Sequence, residues 1–553
     1  MNLNRLYILL IGACTLPCFG QKSPKSPDNQ SISRPKLVVG IVVDQMRYDF
    51  LYRYYAKYGS GGFKRMLREG YSFANCTYNY FPTVTGPGHA SVFTGTTPSI
   101  HGIVANDWYD KTTSRFINCV QDDSVNTIGS DSKYGKFSPR NLKTYTVADQ
   151  VKLATNFRGK TFGISVKDRG AILPPGHTAN GAFWLDPSTG DFISSSFYRK
   201  LGGKLPSWLN EFNLKKRADF YKKKVWNTLL PIAEYTESTR DSSDYEEGIL
   251  KGQAPVFPYD LKKYDKPDYE IVKKSPFGNT LTVEAAQALL EGENLGKGPE
   301  MDMLTISFSC TDVVGHEYGP NSIEVEDTYL RLDRDLEILF ETLDKKVGKG
   351  QYLVFLTADH GVTEAPGFLK EKGLPGGNFS SRLFRSQLES FSKITYNDLH
   401  LVKVVQNLQI YLNDSLIQEG KLDRREVAQQ FVQFAKRFPM VRQAFSWSAD
   451  RPFPEVSLMN KYEAGYFPGR SGDIQLMLSP GVVGRNDPKG TDHNSAYSQD
   501  AHVPCLWMGW KIKPGEEVRP IEIQDIAPTL SSLLHIMEPN GCTGKAQFIP
   551  LKP

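Results

Sequence analysis

Four near-continuous apolar runs constrain this chain more than any other feature. KLVVGIVVDQM (36–46), TFGISV (161–166), DMLTISF (302–308) and QYLVFLTAD (351–359) are near-continuous in hydrophobic residues, and HVPCLWMGW (502–510) is a weaker version. A strand that is apolar at almost every position must be covered on both faces, the condition of a parallel strand inside an α/β sheet. Three of these runs end at or just before polar residues: Asp44; Lys167 with Asp168 and Arg169; and Asp359 with His360. Ligand groups in open α/β sheets gather at the carboxyl ends of strands, so these closures mark a functional edge. The expected fold is α/β, a mostly parallel central sheet flanked by helices.

The stretches between the runs carry helical spacing. In 324–347, Tyr329, Leu332, Leu336, Phe340 and Leu343 fall on one face, with acidic residues weighted to the start. Residues 277–291 read as another helix with Thr282 as a candidate cap, and 521–539 as a short entry followed by a helix ended by Pro539 and Gly541. Two regions interrupt the alternation. Residues 190–275 are rich in aromatic, Lys and Pro residues, and 361–490 contain the helical runs 401–413 and 425–438 before a turn-rich passage. Both read as insertions, forming a cap, in one α/β domain over 36–549.

With 40% hydrophobic and 23% charged residues among 553, the composition is that of a folded protein with a large core, and a formal net charge of +5 argues against a nucleic-acid track. At the N-terminus, Arg5 precedes an apolar run, and Cys18 and Gly20 stand before a polar stretch. This is the pattern of a secretory signal over 1–20 followed by a flexible segment over 21–35. IGAC also puts Cys14 where a lipoprotein signal carries its lipid, and that reading stays open. The other five cysteines, Cys76, Cys119, Cys310, Cys505 and Cys542, are scattered, odd in number and free of any C-x-x-C pair, so thiolate metal ligation is not expected.

Three of nine histidines sit in polar, Asp-containing contexts: Asp312 and His316 in TDVVGHEYGP, Asp359 and His360 in TADHG, and Asp492 and His493 in GTDHNSA. Each pair alone is read as an ordinary Asp–His hydrogen bond or turn. Together with Asp44, and each near a strand end or Gly-rich turn, they form an Asp/His set without thiolates, which suits Zn²⁺. The i, i+4 spacing of Asp312 and His316 puts both on one face of a helical turn. FPTVTGPGHASVFTG (81–95) supplies a nucleophile beside them. Pro87 favours the first turn of a helix, whose unpaired N–H groups seat phosphoryl oxygens. A metal would hold a threonine oxygen as an alkoxide. Position alone favours Thr85 over Thr83 and leaves the choice open. His89 suits an orienting role, His101 and His177 structural ones, while His400, His502 and His535 lack ligand-like surroundings.

DQMR, PTVTGPGH, TDVVGHEYGP, TADHG and TDHN, in this order along 36–545, resemble the alkaline phosphatase superfamily of two-zinc phosphohydrolases. The resemblance implies Thr85 as the nucleophile, one Zn²⁺ on Asp312, His316 and His493, and another on Asp44, Asp359 and His360 with the Thr85 oxygen. Asn106 in GIVANDWYD, with Lys167 and Arg169 in ISVKDRGA, narrows it to the periplasmic, phosphate-irrepressible monoesterases of flavobacteria, where this trio clamps the non-bridging oxygens. A monoester dianion calls for such charge-assisted bonds. The implied partners are small phosphate monoesters, among them phosphorylated sugars or nucleotides, with no nucleic acid and no obligate protein partner, for a monomer. Rival readings are a diesterase or nucleotide pyrophosphatase using the same metals, and an exported zinc-binding protein without turnover. No convincing third carboxylate cluster is visible for a further ion.

Overall fold

The computed structural model describes residues 33–250, 252–447 and 456–553. The leader over 1–20, with Cys14, and nearly all of segment 21–35 lie outside the described residues. In the body Pro35–Pro553, a ten-stranded sheet runs in the order Gly515–Glu517, Tyr71–Phe73, Cys505–Gly509, Tyr352–Thr357, Leu37–Val43, Asp302–Phe308, Thr161–Ser165, Gly181–Leu185, Phe192–Ser195, Thr127–Ile128. The five strands from Tyr352–Thr357 to Gly181–Leu185 are mutually parallel. Leu37–Val43 is buried throughout, as an all-apolar central strand requires. The register pairs Val43 with Phe308, Val42 with Thr357, and Ser307 with Ser165, so these four strands end level. Their polar closures therefore share one edge.

One face is covered by Ile323–Leu343 and Phe277–Gly292, the former burying Leu332, Leu336, Leu339, Phe340 and Leu343. Thr282 is no cap; it sits inside the second helix and its hydroxyl donates to the Gly278 carbonyl at 2.8 Å. The other face carries Thr85–Thr94, whose Phe93 ring packs 5.7 Å from Phe355 above Gly40. Run 502–510 does become a strand, Cys505–Gly509, but antiparallel to Tyr352–Thr357.

The two interruptions have different characters. Part of 190–275 joins the main sheet as Phe192–Ser195, and Leu209, Phe212, Trp226, Tyr259 and Ile271 belong to the main core. Residues 361–490 build a separate antiparallel sheet, Val402–Gln406, Gln409–Leu412, Ile474–Leu478 and Val441–Ser446, over their own core of Phe384, Leu388, Phe431 and Leu476. Arg424–Ala435 forms the expected helix there, but 401–413 is a hairpin instead of a helix. Val402, Val404, Ile410 and Tyr411 favour the pleat, and Asn407 and Leu408, both at positive φ, make the two-residue turn that matches strand twist. Among the described residues no helix is long and apolar enough to cross a membrane.

Candidate active site

Backbone geometry at the strand ends builds the site. After Val43 the chain turns at Gln45, which has a positive φ of 65°. In that turn the Gln45 N–H donates to Asp359 Oδ1 at 3.1 Å and its side-chain amide donates to Asp312 Oδ1 at 2.7 Å. One residue thus ties together the carboxylates that follow two other strands. Two close approaches require glycine: a Cβ at Gly315 would strike the Gln45 side chain, and one at Gly88 would strike the Asp359 carbonyl. Through the second contact the start of Thr85–Thr94 is seated directly on the end of Tyr352–Thr357.

Three imidazoles are oriented by the same device. His316 Nδ1 donates to the Thr491 carbonyl at 3.0 Å, His360 Nδ1 to Gly361 at 2.8 Å and His493 Nδ1 to Thr83 at 2.7 Å. A carbonyl can only accept, so each Nδ1 carries a proton and each Nε2 is the nitrogen turned toward the carboxylates, the arrangement that orients metal-bound imidazoles. Those Nε2 atoms face carboxylates: His316 and His493 lie 3.1 and 3.6 Å from Asp312 Oδ1, and His360 lies 3.4 Å from Asp44 Oδ1. The His360 and His493 rings stack with centroids 3.7 Å apart.

Two groups of ligand atoms result, Asp312/His316/His493 and Asp44/Asp312/His360. Asp312 belongs to both, a sharing that the sequence reading did not anticipate. Asp359 stands just beyond the second group, 3.8 Å from His360 Nε2 and 3.2 Å from His89 Nδ1. Asp44 Oδ1, Asp359 Oδ2 and His360 Nε2 are all buried without a hydrogen-bond partner, the mark of donor atoms arranged for a cation. Burial and repulsion from Asp312 and Asp359 hold Asp44 well above the usual carboxylate range, despite Lys167. Burial opposes ionisation of Asp312 as well, yet His316 and Lys167 hold it well below that range. His316 is raised to about 9, Asp312 outweighing its burial, whereas burial pushes His360 down to about 3. Three carboxylates and three nitrogens turned toward them, buried except for a partly exposed His316, fit divalent metal at both groups.

Thr85 opens its helix and is buried. The rival Thr83 is committed elsewhere: its hydroxyl donates to the Ser495 carbonyl at 2.8 Å and its own carbonyl accepts from His493. Asn106 Oδ1 accepts the Gly86 N–H at 2.7 Å, which places its amide beside the helix start. Lys167 Nζ bridges Asp44 Oδ2 at 2.8 Å and Asp312 Oδ2 at 2.6 Å. Arg169 Nη1 lies 3.6 Å from Asp168, and its buried Nε has no partner. Lys167 and Arg169 line a cavity of about 130 Å³ with Trp184 and Tyr134.

Sequence reasoning missed Gln45, whose only signal was its place in DQMR between two strand ends. His89, read as an orienting residue, donates from Nδ1 to the Thr85 carbonyl and meets Ser307 Oγ through Nε2, both at 2.9 Å. His101 and His177 make local bonds, to Ser91 and to the Thr144 carbonyl.

Comparison with known proteins extends this geometry. Residues 38–502 match the family described as type I phosphodiesterase / nucleotide pyrophosphatase. The chain is 46% identical to alkaline phosphatase PafA of Elizabethkingia meningoseptica over 93% of its own length and 94% of that protein. It is 45% identical to alkaline phosphatase PhoV of Synechococcus elongatus, with 93% of each chain covered. The crystal structure of wild-type PafA superposes with a TM-score of 0.89, covering 93% of this chain and 99% of that one. With the strand-end Asp/His groups, the buried Thr85 at a helix start and this likeness over nearly the whole body, the chain belongs to the type I phosphodiesterase / nucleotide pyrophosphatase family and, within it, to the PafA-like branch of the alkaline phosphatase superfamily.

Proposed function

We propose that this protein is an exported, zinc-dependent alkaline phosphatase that hydrolyses phosphate monoesters through a phosphothreonine at Thr85. The observation that carries the reading is the convergence of three Nδ1-anchored imidazoles and the Asp44/Asp312 carboxylates beside a helix that opens on a buried threonine. Asp312, His316 and His493 would hold one Zn²⁺, and Asp44, Asp359, His360 and the Thr85 oxygen the other. Bound there, the ions supply Lewis-acid chemistry, lowering the pKa of a hydroxyl or water and offsetting charge on a departing oxygen.

The chain's own groups do the rest. Thr85 Oγ forms a bond to phosphorus as the ester oxygen leaves, and water then attacks the phosphothreonine, restores the hydroxyl and releases phosphate. Two displacements retain the configuration at phosphorus. The Asn106 amide, Lys167 and Arg169 bind the non-bridging oxygens, whose charge a dianionic monoester presents in full; the helix start adds little, since the Gly86 N–H is taken by Asn106, Pro87 has none and the Gly88 N–H is bonded to the Val84 carbonyl. His89 holds the Thr85 carbonyl and so fixes the first turn.

The family description favours one rival, a phosphodiesterase. Comparing an aryl phosphate with its methyl diester decides between them: the monoester should be the far better substrate by kcat/KM, and a preference for the diester would refute the assignment. Thr85→Ala should lower monoester turnover by about a thousandfold or more. Retained turnover would remove Thr85 as nucleophile, while no turnover by the zinc-loaded parent would favour a binding protein.

A further inference from the structure

Asn106 stands on a stretch with little support of its own. Gly102–Asn106 joins the short helix Pro98–His101 to the strand Asp107–Asp110 without belonging to either, so no ladder or helical bond fixes where its side chain lies. The start of Thr85–Thr94 rests directly on it. The Gly86 N–H donates to Asn106 Oδ1 at 2.7 Å, and a Cβ at Gly86 would stand 3.2 Å from the Ala105 carbonyl. With Oδ1 taken, only the Nδ2 hydrogens are left to face a ligand. Their direction depends on the backbone from 102 to 107.

Three carbonyls hold that backbone. The Asn106 carbonyl accepts from Cys119 N–H at 2.8 Å, at the open end of the hairpin Asp107–Asp110/Arg115–Asn118. The other two are held by the 361–490 insertion. At one end, Arg470 Nη1 donates to the Gly102 carbonyl, and to that of Asn141 at 2.9 Å. At the other, Asn407 Nδ2 donates to the Asp107 carbonyl at 2.7 Å, backed by Gln406 Nε2 at 3.3 Å. Both donors are themselves fixed. Asn407 lies in the two-residue turn of its hairpin, at a φ of 52°. The Arg470 carbonyl accepts from the Tyr411 hydroxyl at 2.8 Å, and the Tyr411 ring meets Tyr109 at 5.6 Å. Lys111 Nζ adds an ion pair to Asp473 at 2.7 Å.

Arg470 is the telling residue. It is 7% exposed, its guanidinium lies 4.8 Å over the Trp108 ring, and among the described residues no carboxylate pairs with it. A buried cation whose partners are carbonyls recovers only part of its lost hydration. It is a costly way to stabilise a fold and a direct way to fix a loop.

We propose that the insertion braces Asn106, with Arg470 and Asn407 as positioning residues that set its amide toward the phosphoryl group. What Asn106 touches rests on the phosphatase reading; that the insertion holds its backbone does not.

Asn407→Gly suits the positive φ of the turn and removes one donor. Arg470→Met removes the other, and Arg470→Lys keeps the cation. Monoester kcat/KM should fall about threefold in Asn407→Gly, where Gln406 still reaches the same carbonyl, and about tenfold in Arg470→Met, as in Asn106→Ala. Arg470→Lys should recover part of that loss. In an Asn106→Ala background neither change should cost anything further, and zinc content should not move. Hydrogen–deuterium exchange, read by mass spectrometry on peptides spanning 84–89, should quicken in Asn407→Gly and Arg470→Met, because the Gly86 N–H loses a fixed acceptor. That readout needs no turnover, so it tests the brace even where the parent is inactive on monoesters. Unchanged exchange in both variants would overturn the proposal, as would equal quickening across the central sheet. So would losses that persist in full in the Asn106→Ala background, since a general weakening of the fold adds to any other defect.

Discussion

His316, His360 and His493 each commit one ring nitrogen to a backbone carbonyl, whereas Lys167 and Arg169 rest only on neighbouring side chains, and Asn106 meets the backbone through a single N–H. The two sets share one edge of one sheet, so the difference lies in how each is held. The metal-facing set is fixed by the fold before any ligand arrives. The two cations of the proposed phosphoryl clamp are held by charge, and Lys167 in particular is the cation that Asp44 and Asp312 share in this structure. Rigid backbone anchoring suits ligands that must hold their geometry. Charge-held side chains suit groups that answer to the charge of what binds.

Removing Asp312 should have the largest effect, because it stands in both ligand groups. Asp312→Asn should lower monoester kcat/KM by about 10⁴-fold, the loss of several kcal/mol of transition-state stabilisation. Zinc content by mass spectrometry should fall at both groups together. If one ion stayed fully bound, the shared role of Asp312 would be wrong.

Joint replacement of Lys167 and Arg169 by Ala should cost about 10²- to 10³-fold on the monoester and much less on its methyl diester, with zinc content unchanged. Equal losses on both esters would break the link between these cations and the dianion. A fall in zinc content would break the comparison itself, since the phosphoryl-facing set would then be part of the metal site. Asn106→Ala should be milder, about tenfold, the worth of one hydrogen bond.

Much of this was readable in advance, for physical reasons that also mark where reading fails. Asp44, Asp359 and Lys167 were legible because each directly follows an all-apolar run, and a level register puts such residues on one edge. The separation of Thr85 from Thr83 was not, because it depends on Ser495 and His493, more than 400 positions away. Nor could spacing show that Asp312 serves two groups or that Gln45 joins Asp312 to Asp359. The hairpin within 401–413 was mistaken for a helix because apolar residues at mixed spacing satisfy both periods, and Asn407 was not weighed as a turn.

The premise beneath the comparison, that buried acids are tolerated at the strand ends because cations answer them, can be tested away from the site. Asp335, on the helix Ile323–Leu343, is the control. It is 4% exposed, its hydrogen bond comes from the Thr280 hydroxyl at 3.0 Å, and Arg331 only partly offsets its surroundings. Burial, reinforced by Glu284, raises it to about 7, against about 3.9 in an unfolded chain. A carboxyl whose folded pKa is raised takes stability away as it ionises. The penalty is absent below pH ~4, grows between ~4 and ~7, and is complete above that. Asp335→Asn should therefore stabilise the protein at pH 8, by at most about 4 kcal/mol, and change little at pH 4.5, both read from thermal melts. Destabilisation at pH 8 would mean that this buried carboxylate is matched by a partner after all, and that burial without a cation is no guide to which acids of this protein await a metal.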